Sequence, residues 1–320
     1  MKHELIVFIK CSGPNVREDN LNDTITSFAK KNTKCDYKFY IVCDPHVEPW
    51  VNNVFENENY LSFLNPNHLL SLKVSSSSWA TDFNEFFEAH QDNAEWILIS
   101  HDDVEFITDD YFHKIKDSVK GHENKVGWIT STSNYYVETE GKVVTDTFRA
   151  GNYKDFSDWG AMFYLHKMKH LKNAAPNEVA SSVHLYDYPK APVKVHGVMS
   201  AIMLAKSSTI KKIGYCEDWT NYTMLIDEDW SLEALKNKLW NVWVPDVFHK
   251  HPLRRGLRPT NNKWEKEAHE GFINKWGFDV GSYPYGISIP IEEYREKYKD
   301  TNMPWSSYRT SYDWEYLDEQ

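Results

Sequence analysis

The feature that most constrains this chain is a series of short, unbroken apolar runs separated by amphipathic stretches. Leu5 to Ile9, Phe39 to Val42, Trp96 to Ile99 and Val126 to Ile129 carry no polar interruption. Runs of that length without alternation read as strands covered on both faces, as in a parallel sheet. Between them the apolar residues recur at helical spacing. Leu21, Ile25 and Phe28 form one such face, Trp79, Phe83, Phe86, Phe87 and His90 a second, and Tyr111, Phe112, Ile115 and Val119 a third. Strand and helix alternating over short connections predict an α/β fold built on a mostly parallel central sheet flanked by helices.

The rhythm lapses over residues 131 to 196, a polar stretch punctuated by Gly141, Gly151, Gly160, Pro176, Pro189 and Pro192. It is expected to be an insertion of loops with a small hairpin. Order returns with a strand over Val198 to Leu204. A short helix follows from Ser207 to Ile213, closed by Gly214 as a C-terminal cap. A helix is expected over Glu228 to Leu239, a strand over Val242 to Val247, and a last helix over 263 to 276. Residues 1 to 260 thus form one domain containing the insertion, possible acceptor-side territory. Residues 261 to 320 form a helical, aromatic C-terminal extension with Trp305, Tyr308, Tyr312, Trp314 and Tyr316.

Charge narrows the partners. Lys and Arg number 36 against 47 Asp and Glu, a formal balance of −11. Such a surface repels nucleic acid and anionic lipid. The four cysteines, Cys11, Cys35, Cys43 and Cys216, form no CxxC pair and give no zinc spacing. No stretch approaches the ~20 apolar residues of a membrane span. The expected setting is cytoplasmic, at most peripheral to a membrane, and an oligomer is compatible with the aromatic tail.

Chemistry concentrates in three places. In Ile97-Leu98-Ile99-Ser100-His101-Asp102-Asp103-Val104 a buried strand ends in two adjacent carboxylates. Ligands gather at the carboxyl ends of strands in open α/β sheets, and paired carboxylates repel unless a cation joins them. Oxygen donors suit magnesium or manganese; a helix cap is the other reading, since Asp109 and Asp110 follow. In Ile226-Asp227-Glu228-Asp229-Trp230 three acids open a helix, which the helix dipole favours by itself and which also supplies a general base. In Val244-Pro245-Asp246-Val247-Phe248-His249-Lys250-His251, a histidine past a strand end can complete a metal site; His249 and His251 face the same way if the strand continues. Arg254, Arg255 and Arg258 then form a basic cluster suited to diphosphate oxygens, or a solvated surface run.

The order of these features resembles the GT-A glycosyltransferases, particularly the inverting, nucleotide-sugar-dependent family two, over about residues 1 to 260. The resemblance implies a Rossmann-like fold and a divalent metal, Mn2+ or Mg2+. It also implies a nucleotide-diphosphate sugar as cosubstrate, a UDP-sugar in the first instance. By resemblance the donor is held near Lys10, Cys11 and Ser12, and at Asp44, Asn84 and Asp102; from their position alone Arg254 and Arg255 are expected to close over its phosphates. Asp103 and His249 become metal ligands, and Asp229, paired with Glu228, the catalytic base. The family's Asp-x-Asp stretch maps onto His101-Asp102-Asp103 with a His in first place. Gly197 to Leu204 and Ile213-Gly214 match the wall near donor sugar and acceptor. Lys275-Trp276-Gly277 is also similar to related bacterial enzymes. No Gln-x-x-Arg-Trp is present, which argues against a processive synthase.

The activity implied is transfer of a sugar with inversion to a hydroxyl of a glycan, lipid-linked or protein acceptor. Three rivals stay open: a nucleotidyltransferase, a catalytically silent carbohydrate-binding or nucleotide-sugar-binding protein of the same fold, and a metal-dependent hydrolase.

Overall fold

The computed structural model describes residues 2–11, 16–133, 138–139, 142–143, 191–195, 197–198, 200–219, 225–251, 262–276 and 317. Along the chain these form β1 (His3–Cys11), α1 (Glu18–Lys31), β2 (Tyr37–Cys43), α2 (Glu48–Glu56), β3 (Leu69–Val74), α3 (Trp79–His90), β4 (Ala94–Ser100), β5 (Glu105–Phe106), α4 (Tyr111–Ser118) and β6 (Val126–Ser133). There follow a hairpin of β7 (Glu138–Thr139) and β8 (Lys142–Val143), then β9 (Val193–Val195), β10 (Ile202–Lys206), α5 (Ser207–Ile213), α6 (Ile226–Lys236), β11 (Trp240–Lys250) and α7 (Asn262–Trp276).

The main sheet runs β3-β2-β1-β4-β10-β6-β11-β5, with β9 on β11. Strands β3, β2, β1 and β4 are parallel neighbours. The apolar runs that mark three of them are uninterrupted because successive side chains serve opposite layers. In β1, Leu5, Val7, Ile9 and Cys11 enter a core shared with Ile25, Phe28 and Phe55 from α1 and α2. Ile6 and Phe8 enter the other core, with Phe83, Trp128 and Trp230. Phe8 meets Trp79 and Phe83 edge-on at 5.5 and 5.2 Å between centroids, an arrangement that aligns ring edges with ring faces.

Beyond β4 the sheet is mixed. Strand β10 is antiparallel to both β4 and β6, and β11 runs parallel to β6 but antiparallel to β5 and β9. The expected strand over Val198 to Leu204 starts later, at Ile202, because Ser200 and Ala201 make a turn. Strand β11 is longer than the expected Val242 to Val247 and crosses Pro245 through a register shift between Val244 and Phe248. A bulge is where a strand tolerates proline, which has no N–H to give the ladder. Helix α2 and strands β3, β5 and β9 have no counterpart in the sequence reading. The Leu69–Val74 side chains are half-buried or exposed, so their pattern is weak.

Close packing on one side is set by Gly127, where a Cβ would stand 2.7 Å from Ala234 Cβ. Its absence lets α6 lie directly on β6. Gly214, with φ +100°, ends α5 in the left-handed region as expected of a cap. Most of the 131 to 196 insertion and of the aromatic tail lies outside the described residues.

This topology fixes where a site can be. Strand β1 has β2 on one side and β4 on the other, so the chain order reverses between β1 and β4. The crevice at their carboxyl ends is where ligands enter open α/β sheets. It is bordered by Cys11, Asp44 and the loop after Ser100.

Candidate functional site

Register explains how distant residues gather after β4. Ile202 pairs with Ser100 in the antiparallel ladder, so Ser200 and Ala201 fall beside the loop that leaves β4. The His101 N–H donates to Ala201 O at 3.1 Å. On the far side β11 pairs antiparallel with β5, His249 opposite Phe106 and Lys250 opposite Glu105. The next residue, His251, therefore arrives at the loop that holds Asp103.

Three side chains converge there. His251 Nε2 lies 3.2 Å from Asp103 Oδ1 and 3.4 Å from His101 Nδ1. One potential ligand atom from each of His101, Asp103 and His251 lies within 4.8 Å of the other two. The other His101 nitrogen, Nε2, is 3.2 Å from Ser200 Oγ, and the Ser200 N–H donates to Asp227 Oδ2 at 3.3 Å. A chain of contacts thus links the acidic start of α6 to the cluster through one serine.

The electrostatics favour a cation. Burial and the neighbouring Asp103 carboxylate push Asp102 up to about 7. Burial also works against ionisation of Asp103, but His251 and His101 outweigh it and hold Asp103 below the usual carboxylate range. One carboxylate is thus ionised at the expense of the other, the pattern of two acids sharing a site. A carboxylate with two imidazoles is a donor set that fits manganese and other first-row divalent ions.

The other expected residues are placed as follows. His249 is buried and is not one of the three: its Nδ1 is 2.7 Å from Ser131 Oγ, and Ser131 in turn bonds the Tyr111 hydroxyl. No hydrogen-bond partner meets its Nε2 among the described residues. Burial, then His251 and His101, keep its ring neutral. Asn84 commits its amide to the backbone of Cys216, donating to the carbonyl and accepting from the N–H, each at 2.8 Å. Cys11 is buried in the crevice, its thiol pushed up by burial and by Asp102. Asp44, partly exposed at the end of β2, ties the two strand ends together through its N–H to Cys11 O at 3.2 Å. Ser12, Arg254, Arg255 and Arg258 lie outside the described residues.

Asp229 points to a different partner. Two residues apart on a helix means roughly 200°, so Asp227 and Asp229 address opposite sides while Glu228 is buried between them. Asp229 is 1% exposed. Its Oδ1 accepts from Trp276 Nε1 at 2.7 Å, and Lys275 Nζ stands 2.9 and 3.0 Å from its two oxygens. Lys275 also reaches Glu217 and Glu233. Burial lifts Asp229 to about 6 despite the opposing pull of Lys275 and Trp276. The same three carboxylates raise Lys275 against its own desolvation.

Residues that sequence reasoning left unassigned are Ser200, Asp227 and the Lys275-Trp276 pair as partners of Asp229. Lys10 was placed only near the donor. It makes a buried ion pair with Asp82 at 2.6 Å, where Lys73 and Ser75 also bind.

No family model matches the sequence, and no curated protein matches it. Solved structures do. The crystal structure of GalNAc-T7 with UDP, GalNAc and Mn2+ superposes at TM-score 0.54 and 10% identity, covering 94% of this chain and 55% of the other. The fold is GT-A. A second match is the mannosyltransferase PcManGT from Pyrobaculum calidifontis in complex with GDP-Man and Mn2+. It covers 85% of this chain and 63% of its own at 10% identity, with TM-score 0.46, too distant to add weight. The chain spans less than two thirds of either neighbour's length. Within the GT-A frame, the His101, Asp103 and His251 cluster lies at the carboxyl ends of the parallel strands. Among the described residues, no helix is long and apolar enough to cross a membrane.

Proposed function

We propose that this chain is a metal-assisted glycosyltransferase that moves a sugar from a nucleotide diphosphate, UDP in the first instance, to an acceptor hydroxyl with inversion. The observation that carries the reading is the convergence of His101, Asp103 and His251 beside the topological switch point. GalNAc-T7, the GT-A neighbour, was solved with UDP and Mn2+. In this reading Asp103 and His251 would hold the ion with His101, and His249 ties β11 to β6 through Ser131. Held by these three residues, a divalent cation would supply positive charge to a departing diphosphate, the kind of electrostatic assistance that contributes most to such reactions.

The protein's own groups do the rest. Asp44 and the end of β1 border the donor pocket, and Asp102 lines its floor. Asp229 takes the proton of the acceptor hydroxyl as its oxygen bonds to the anomeric carbon and the bond to the phosphate oxygen breaks. A carboxylate lifted to about 6 is poised for that task near neutrality. Lys275 and Trp276 orient it, and Asp227 orients Ser200 against His101. Asp227 is the second reading for the base, since it is the acid connected to the cluster.

Thermal-shift titration with nucleoside diphosphates, with and without Mn2+, tests donor recognition. The reading expects a metal-dependent stabilisation that Asp103→Asn or His251→Ala removes. Absence of any such shift would sink it. Where a donor is found, Asp229→Asn should abolish transfer and keep donor binding, and Asp227→Asn decides between the two acids.

A further inference from the structure

We infer that Glu4, Cys35 and His113 form a second cation site, suited to zinc, at the opposite end of the sheet from Asp103. Glu4 lies at the start of β1, Cys35 in the turn before β2, and His113 on α4. Three separate elements therefore deliver a carboxylate, a thiol and an imidazole to one place, with ligand atoms all within 4.8 Å. His113 Nε2 is 3.3 Å from each Glu4 oxygen. Two light-atom ligands at about 2.0–2.1 Å on a tetrahedral zinc lie about 3.3 Å apart. Burial and the Glu4 carboxylate beside it push the Cys35 thiol up, so a cation there would replace an unfavourable proximity with a favourable one.

The support around the ring matches a metal site. Asp110 Oδ1 sits 2.8 Å from His113 Nδ1, the carboxylate–histidine pairing that fixes which nitrogen is presented to a metal. Asp110 holds a left-handed backbone, φ 54°, and its N–H is anchored on Lys31 O at 2.7 Å. Lys116 contacts Glu4 Oε1 at 2.6 Å, which leaves Oε2 for an ion. Loading M2+ on the sulfur would displace the thiol proton to solvent. Thiolate with imidazole selects zinc over magnesium or calcium.

Cobalt separates this site from the one around Asp103, whose three clustered side chains, His101, Asp103 and His251, include no sulfur. Chelator-stripped full chain titrated with Co2+ should develop a near-ultraviolet sulfur-to-cobalt band at one equivalent, and Zn2+ should erase it. Cys35→Ser should abolish the band, with folding checked by circular dichroism; should that variant not fold, His113→Gln must abolish the band instead. Asp110→Asn should weaken binding by about 10–100-fold. A missing band in the native protein, or one that survives Cys35→Ser, overturns the assignment.

Discussion

Replacing Lys275 by Met tests the electrostatics around Asp229. Lys275 is the cation facing Asp229, which is 1% exposed and whose carboxyl burial lifts to about 6. Because the native value lies above the usual carboxylate range, the folded state holds this proton more tightly than the unfolded state does. Stability from Asp229 is therefore greatest at low pH and declines as pH rises toward 6. Above 6 the wild-type group is ionised in both states and that loss stops. Without Lys275 the carboxyl keeps its proton to higher pH and goes on losing about 1.4 kcal/mol per pH unit. The Lys275→Met deficit should thus widen as pH rises above 6, by at most about 1.4 kcal/mol per pH unit. At pH 5, where both proteins carry the protonated acid, the contacts of Lys275 to Glu217, Glu233 and the Trp276 ring are lost without a charged Asp229 facing it. Each is worth no more than about 1 kcal/mol once solvent screening is counted. The assay is urea unfolding at pH 5, 6, 7 and 8, repeated in an Asp229→Asn background, where the widening should vanish. A deficit that is flat across this range, or largest at pH 5, would refute the coupling. If Asp229 is the base, the acid limb of kcat/KM should also move upward in Lys275→Met.

Further tests follow from packing and polar contacts. Gly127→Ala places a methyl 2.7 Å from Ala234 Cβ and should cost about 1–3 kcal/mol by overpacking, read from urea midpoints. Asn84→Ala removes both bonds to Cys216 and should cost about 1–3 kcal/mol; nucleotide affinity by calorimetry should stay unchanged, and a selective loss of affinity would return Asn84 to the donor pocket. Asp82→Asn leaves Lys10 buried without its counter-charge and should destabilise by about 3–5 kcal/mol, a loss that calorimetric unfolding would register.

What the sequence disclosed and what it hid divide along a physical line. Parallel strands such as Leu5 to Ile9 announce themselves because both faces are buried, and the helix ending at Gly214 because one backbone conformation demands that residue. Edge strand β3 is silent because its side chains are only half covered. The carboxylates at the end of β4 are legible for a similar local reason, an apolar run broken by charge. Which histidine meets them is not local at all. His249 and His251 lie on the same side of a strand, and only the β11–β5 register, with Phe106 opposite His249, carries the later one to Asp103. Asp229 is parallel: its acidity reads as a helix start, and nothing near it in sequence reveals Lys275 and Trp276, brought by a helix some forty residues on. Ser200 makes the same point, since the antiparallel turn of β10 is what sets it between His101 and Asp227. The chemistry types were written in short motifs, whereas the partnerships were written in strand direction. An antiparallel strand inserted into a parallel sheet is the device that joins them here.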